Sequence, residues 1–368
     1  MRLLITGGGT GGHVYPALAV LEALDRDAEH AVAWVGSAEE QGLERDIVSR
    51  EGVPFLTVRC GAIRGAGPWG ALRGAANMGR GIFDALRVLR RFRPDVVLST
   101  GGFVSAPLVI GAWLRRCPCL IYLPDIEPGL AIRHLSRWAD RVAVSFEQAG
   151  EHFHPEKVVV TGYPVRKELL TMTQEDARRA LGLAEGADAD LPILLVMGGS
   201  RGARSINQAV QRVLPELLSL ARVIHISGQA DIDDLRHAAQ SLADNRRCRY
   251  HLHAYLHEEM GAALAAADLV VARAGAATLA EFPAVGLQAI LVPYPYSGQF
   301  QDANAGFLAE RGAAMVLPDD ELVRLLPTIQ ELLNDPTRRA TMSVAARQLS
   351  RPDAAAAIVA ELQTLAGR

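Results

Sequence analysis

Two glycine-rich turns, each set between a short apolar run and a helical pattern, restrict this chain to few folds. The first, Gly7-Gly8-Gly9-Thr10-Gly11-Gly12-His13, follows Leu3-Leu4-Ile5. The second, Gly198-Gly199-Ser200-Arg201-Gly202-Ala203, follows Ile193-Leu194-Leu195-Val196 about half a chain later. Both read as strand, glycine turn and helix. Such a turn aims unpaired backbone amides and the positive end of a helix at whatever anion lies in front of it. Two of them predict two nucleotide-type α/β halves facing one cleft.

The rest of the chain fits that reading. Short β-branched runs alternate with helical stretches of about 10–18 residues, the signature of βαβ units and a parallel sheet covered on both faces. Strands are expected at Ala31–Val35, Asp95–Ser99, Cys119–Leu123, Arg141–Val144, Val223–Ser227, Leu269–Ala272 and Ala289–Pro293, six to seven per half. The seam is placed near Gly162-Tyr163-Pro164, giving domains over 1–163 and 164–350. A last helix, over 351–368, is expected to pack back on the first domain. With 49% hydrophobic residues the chain can build a large core, and a net charge of −3 gives no reason to expect nucleic acid as a partner.

No apolar run reaches the roughly 18 residues of a membrane span, and the chain enters its first strand without a signal-peptide pattern. A cytoplasmic protein is therefore expected. Cys60, Cys117, Cys119 and Cys248 form no CxxC pair, so reduced thiols and no zinc are expected. Between Arg64 and Arg93, seven arginines (64, 73, 80, 87, 90, 91, 93) face one acid, Asp84. Trp69, Leu72, Met78, Ile82, Phe83, Leu86, Val88 and Leu89 are interleaved with them. That pattern suits either an ordinary amphipathic helix or attachment to an anionic membrane surface.

The first turn satisfies GxGxxG, a weak match by itself. A dinucleotide enzyme also needs a carboxylate at the end of the second strand, and here that strand ends Trp34-Val35-Gly36-Ser37. A dehydrogenase is thereby disfavoured. His13 stands at the start of the first helix, where the helix end disfavours imidazolium, so a neutral general base is expected. In the second half, Gly198-Gly199-Ser200 suits a phosphate. Arg273-Ala274-Gly275-Ala276-Ala277-Thr278 opens another helix, with the amides of Ala276–Thr278 aimed outward and Glu281 on the face of Thr278. A carboxylate there can accept two bonds from vicinal ribose hydroxyls. Gln299, Gln301 and Asn304 carry amides suited to sugar hydroxyls. Asp188-Ala189-Asp190 and Asp231-Ile232-Asp233 resemble DxD metal motifs but follow no clear strand, so they read as surface acids and no metal is expected.

Six ordered segments resemble the MurG family of N-acetylglucosaminyltransferases: 7–20, 99–113 (STGGFVSAPLVIGAW), 161–166 (TGYPVR), 198–207 (GGSRGARSIN), 268–281 (DLVVARAGAATLAE) and Asn304-Ala305. The resemblance covers nearly the whole chain. It implies a GT-B fold of two Rossmann-like, doubly wound parallel-sheet domains, needing no cofactor. It implies inverting transfer of N-acetylglucosamine from UDP-N-acetylglucosamine to an undecaprenyl-linked muramyl pentapeptide (lipid I), making lipid II for the cell wall. The enzyme would sit peripherally on the cytoplasmic face of the cell membrane, with the Arg64–Arg93 stretch as its membrane patch.

By the same resemblance, Thr10, Gly11 and Gly12 would face the donor sugar and acceptor diphosphate, and His13 would be the family's functional histidine. Arg166 and Ser200 would approach the donor diphosphate or ribose. His257 would hold uracil through its backbone beside Leu256. Ala276, Ala277 and Thr278 would lie by the phosphate and sugar, with Arg273 in the same segment. Gly101, Gly102, Phe103 and Ser105 would bind the acceptor. The chain departs from the family's His-Glu-Gln-Asn at Tyr122-Leu123-Pro124-Asp125, and from its Gln-Gln pair at Phe300-Gln301. Asp125 thereby becomes a second candidate base. Competing readings are a related GT-B transferase with another UDP-sugar or acceptor, a UDP-sugar epimerase, and a catalytically silent binding module.

Overall fold

The computed structural model describes every residue except 9–10, 25–28, 39–42, 61–66, 200–201, 298 and 368, with side chains also undescribed at 11, 43, 67–73 and 75. The chain divides into two compact units, Met1–Val165 with Arg351–Arg368, and Arg166–Ser350. Each is built on one wholly parallel sheet.

The first sheet holds β1 (Arg2–Thr6), β2 (Ala31–Ser37), β3 (Phe55–Val58), β4 (Val96–Ser99), β5 (Cys119–Leu123), β6 (Arg141–Val144) and β7 (Val158–Val160), in the order β3-β2-β1-β4-β5-β6-β7. Leu4 of β1 lies between Ala33 of β2 and Val97 of β4. Leu3, Leu4 and Ile5 are fully buried, as are Val96–Leu98 and Leu120–Ile121. Such runs stay apolar on both sides because helices cover both faces of the sheet. Each large apolar side chain buried in this way contributes about 1.5–3 kcal/mol. The last helix, Ala354–Ala366, belongs to this unit and buries Ala354, Ile358, Leu362 and Leu365, spaced along one helical face.

The second sheet holds β8 (Ile193–Met197), β9 (Arg222–Ile226), β10 (Tyr250–His253), β11 (Leu269–Ala272), β12 (Ala289–Leu291) and β13 (Ala314–Val316), in the order β10-β9-β8-β11-β12-β13. Strand β12 is shorter than the expected Ala289–Pro293. Pro293 has no amide to donate to a ladder.

In both sheets the strand order reverses direction at one place, between β1 and β4 and between β8 and β11. Helices on either side of such a switch point leave opposite faces, which opens a crevice at the carboxyl ends of the two strands. Both glycine turns leave from strands at these switch points. The four cysteines are free, as expected. Asp188 and Asp231 are less idle than the sequence suggests: Asp188 pairs with Arg249 at 2.7 Å, and Asp231 accepts from Asn207 at 2.8 Å.

The helix Gly67–Phe92 carries the basic stretch. Its Gly81, Ala85 and Leu89 are buried. Met78, Ile82, Leu86, Val88 and Phe92 are half-buried, so most of the interleaved apolar residues serve the core. Phe83 is the described exception at 53% exposed, with the Arg87 guanidinium 4.3 Å from its ring. Asp84 is taken by Arg59 at 2.7 and 2.8 Å and also feels the Arg87 charge, which leaves the exposed Arg80, Arg90 and Arg91 unopposed by an acid on their own helix. Among the described residues no helix is long and apolar enough to cross a membrane.

Candidate active site

In the first unit the ends of β1, β4 and β5 bring Gly7-Gly8, Thr100-Gly101-Gly102 and Asp125 into one neighbourhood. The packing is so close that only glycine fits. A Cβ on Gly102 would stand 2.6 Å from the Gly8 carbonyl oxygen. One on Gly101 would stand 2.9 Å from Ile132 Cδ1 and 3.2 Å from His13 Cε1, and Gly101 also needs φ +103°, a region L-residues avoid. The imidazole of His13 thus rests against a glycine of the β4 turn. Thr100 Oγ1 fixes the histidine's backbone by donating to its carbonyl at 2.7 Å.

His13 lies in the first turn of the helix Gly11–Glu22. Burial lowers its pKa most, while the negative charge of Asp125 pushes the other way. Sequence reasoning expected the lowering to come from the helix end; the larger cause is burial. His13 Nδ1 is buried and finds no hydrogen-bond partner among the described residues. The site therefore holds a neutral imidazole with an uncommitted nitrogen. A carboxylate charge nearby favours the imidazolium once a proton arrives.

Phe103 is 62% exposed and is free to meet an apolar group. Ser105, expected to bind the acceptor, starts the helix Ser105–Leu114. It is fully buried and donates to the Gly101 carbonyl at 2.6 Å, which braces the turn. Gly12 and the backbone of Gly11 belong to the first turn of the Gly11–Glu22 helix; Thr10 lies outside the described residues, as does Ser200.

In the second unit, the turn after β8 also fits only glycine at two positions. A Cβ on Gly198 would meet Ala203 N at 2.3 Å, and one on Gly202 (φ +76°) would meet Ser227 O at 2.4 Å. Gly199, at φ +116°, faces open space. After β11, Ala276 and Ala277 lead into the helix Thr278–Val285, and no hydrogen bond takes their amides among the described backbone pairs. The Thr278 amide is a different case. It donates to Gly275 O at 3.0 Å, and Thr278 Oγ1 donates to the same oxygen at 2.7 Å, so Thr278 closes the turn instead of aiming outward.

Glu281, partly buried one turn further on, has its carboxyl pushed up to about 7 by burial, with the Arg166 charge opposing. Arg166 itself approaches Glu168 at 3.2 Å. A carboxylate held at a high pKa lacks the solvation it would have in water, and hydroxyls donated by a ligand would replace that solvation.

Arg273 and Asn304, both expected at the ligand, also brace the site. Arg273 is 8% exposed. Its Nη1 donates to Asp319 at 2.6 Å and to the Val292 and Pro293 carbonyls at 3.2 Å, and its Nη2 donates to Ser205 at 2.7 Å. The guanidinium therefore ties its own turn to the first turn of the helix Arg204–Arg212. Asn304 is fully buried and donates to the Ala274 carbonyl at 3.1 Å. Gln301 Oε1 accepts from the Tyr294 amide at 2.9 Å, while Gln299 is exposed in the left-handed region. Leu256 is buried and His257 exposed in the segment after β10, with the His257 ring 4.5 Å from that of Tyr255. The braces Ser205, Asp319 and Thr100 were missed. Ser205 and Thr100 sit inside the recognised segments, whereas Asp319 carries no sequence signal.

Residues 3–144 match the glycosyltransferase family 28 N-terminal domain and residues 193–358 its C-terminal domain. The chain is 42% identical to the UDP-N-acetylglucosamine--N-acetylmuramyl-(pentapeptide) pyrophosphoryl-undecaprenol N-acetylglucosamine transferase of Desulforudis audaxviator, over 100% of this chain and 99% of that one. It is 40% identical to the protein of the same name from Roseiflexus, over 99% and 95%. Among solved structures it resembles the MurG of Acinetobacter baumannii (TM-score 0.75, 27% identity, 99% of both chains). A UDP-GlcNAc 2-epimerase from Neisseria meningitidis shares the fold alone (TM-score 0.70, 14% identity, 99% and 100%). Two parallel-sheet domains of the GT-B class are thus the architecture, as expected.

Proposed function

The chain belongs to glycosyltransferase family 28, and from that premise we propose that it moves N-acetylglucosamine from UDP-N-acetylglucosamine to lipid I, an undecaprenyl-pyrophosphoryl muramyl pentapeptide, as a step of peptidoglycan synthesis. The observation that carries this reading is the 42% identity to a transferase of that name along the full length of both chains.

The second unit is the donor half. Glu281 accepts bonds from the two ribose hydroxyls. The amides of Ala276 and Ala277, the glycine turn after β8 and the Arg166 charge face the diphosphate. The first unit is the acceptor half, with Gly101, Gly102 and Phe103 against the incoming lipid-linked sugar. An acceptor hydroxyl oxygen bonds to the anomeric carbon as the bond from that carbon to the UDP oxygen breaks, inverting the centre. His13 takes the hydroxyl proton, and Asp125 stabilises the imidazolium. UDP leaves with the electron pair, and the turn amides and helix ends are stronger partners for that developing charge than for the intact donor.

A membrane surface brings the lipid acceptor. Arg80, Arg87, Arg90 and Arg91 around the exposed Phe83 supply charge and an apolar insertion point for an anionic leaflet on the cytoplasmic face. Each basic residue near such a surface contributes about 1 kcal/mol.

The test is incubation with UDP-N-acetylglucosamine labelled in the sugar, with and without detergent-dispersed lipid I. Label entering the lipid fraction only when acceptor is present supports the reading. Release of an isomerised UDP-sugar without acceptor would make the protein an epimerase instead.

A further inference from the structure

The second unit holds a cavity of about 710 Å³ that no step above uses. It lies among the helices Lys167–Thr171, Thr278–Val285 and Pro336–Leu349. Its volume falls within the range of small-molecule sites. Two arginines line it, and neither makes an ion pair among the described residues. Arg339 Nε is buried without a hydrogen-bond partner there, which is a costly state for a guanidinium nitrogen. Arg347 spends Nη2 on the Val285 carbonyl at 2.8 Å. Among the described residues no other bond takes its remaining donors.

The lining acid, Asp268, is neutralised by Arg178 at 2.7 Å and also accepts from the Ile193 amide at 2.7 Å. The cavity is therefore net positive. The first turn of the Pro336–Leu349 helix borders it, but Asp335 caps that end by accepting from the Arg338 amide at 2.8 Å, so the positive character rests on the two arginines. Thr171, Gln288 and Ser343 add polar oxygens that can accept, a donor of each being spent on the Glu168 carbonyl at 3.3 Å for Thr171 and on the Gly286 carbonyl at 2.9 and 2.8 Å for Gln288 and Ser343. Guanidinium donors suit phosphate oxygens, and polar oxygens that accept suit hydroxyls.

We propose that this cavity binds a small phosphorylated polyol, with its phosphate between Arg339 and Arg347 and its hydroxyls on Thr171, Gln288 and Ser343. The site is separate from the proposed nucleotide site of the same unit. It lies at the far end of the helix whose first turn carries Glu281.

The test is calorimetry on the full chain with glucose 6-phosphate, run with and without saturating UDP. Inorganic phosphate is titrated as the bare-anion arm, for which competition with glucose 6-phosphate is expected. Binding should persist with UDP present, and weaken about tenfold or more in Arg339→Gln. Ala340→Glu, which adds a carboxylate at an exposed lining position without removing any brace, should weaken it similarly and keep the fold measurable. The proposal fails if millimolar glucose 6-phosphate gives no binding, if UDP abolishes the binding, or if both variants bind as the wild type does. Loss of UDP binding alone would count against the donor assignment and leave this site standing.

Discussion

Glu281 ties the donor assignment to a pH dependence that can be worked out in advance. Burial pushes its carboxyl up to about 7 from an ordinary value of 4.5. Ribose hydroxyls donate to the ionised form, so binding must drive the proton off. If only the ionised form binds, affinity follows the ionised fraction, which is about a tenth at pH 6 and nine-tenths at pH 8 for a group of pKa near 7. Uridine affinity should therefore fall about tenfold from pH 8 to pH 6, or ~1.4 kcal/mol. Uridine is the right probe because it carries the hydroxyls without a phosphate that titrates in the same range.

The same shift bears on stability, with an opposite preference in pH. The folded pKa lies above the unfolded one, so stability from this group is full below about 4.5 and is lost as pH rises through 7. The full shift of 2.5 corresponds to about 3 kcal/mol, and partial solvent access reduces that to roughly 1–2 kcal/mol. Glu281→Gln should flatten both profiles and weaken uridine binding at pH 8 by about 1.5–3 kcal/mol, the range for a charged hydrogen bond. Calorimetry across pH measures the first effect and thermal unfolding of the ligand-free protein the second. A wild-type uridine affinity that is flat from pH 6 to 8, or a tenfold dependence surviving in Glu281→Gln, would refute the reasoning.

His13→Ala should lower turnover by about 10²–10⁴, as for loss of a general base, with UDP affinity unchanged within about twofold. Gly101→Ala places a methyl against Ile132 and His13 at a φ that L-residues avoid; it should cost about 1–3 kcal/mol in unfolding and depress turnover while leaving UDP binding intact. Arg273→Met strands the partly buried Asp319 and should destabilise by about 2–4 kcal/mol in denaturant titration, with weaker UDP binding because the turn it ties down relaxes. Phe83→Ser combined with Arg87→Ser should weaken sedimentation with anionic vesicles without changing turnover on a water-soluble acceptor analogue; unchanged sedimentation would remove the membrane role from this helix.

The parallel sheets were legible because their information is local: Leu3-Leu4-Ile5 and Ile193–Val196 can only be buried strands, and the glycines after them can only turn. The glycine pair at 101–102 was picked out only by the family resemblance; the close backbone approach that excludes a side chain there is a property of the fold. The direction of a polar side chain beside a turn is not local. Ser105, Arg273, Thr278 and Asn304 all lie where a ligand contact is plausible in sequence, and all point inward to close or brace a turn. Burial depends on the whole fold. The high carboxyl pKa of Glu281 and the burial-driven lowering at His13 could therefore not be read from their neighbours in the chain, and Asp319 was invisible because its partner lies 46 residues away.

The most direct measurement is a crystal structure of the full chain with UDP-N-acetylglucosamine. The ribose hydroxyls should lie on the Glu281 carboxylate, and the diphosphate should face the amides of Ala276 and Ala277 beside the glycine turn after β8. A nucleotide seated at any other edge of the second sheet, or a ribose with no contact to Glu281, would contradict the assignment of the donor half.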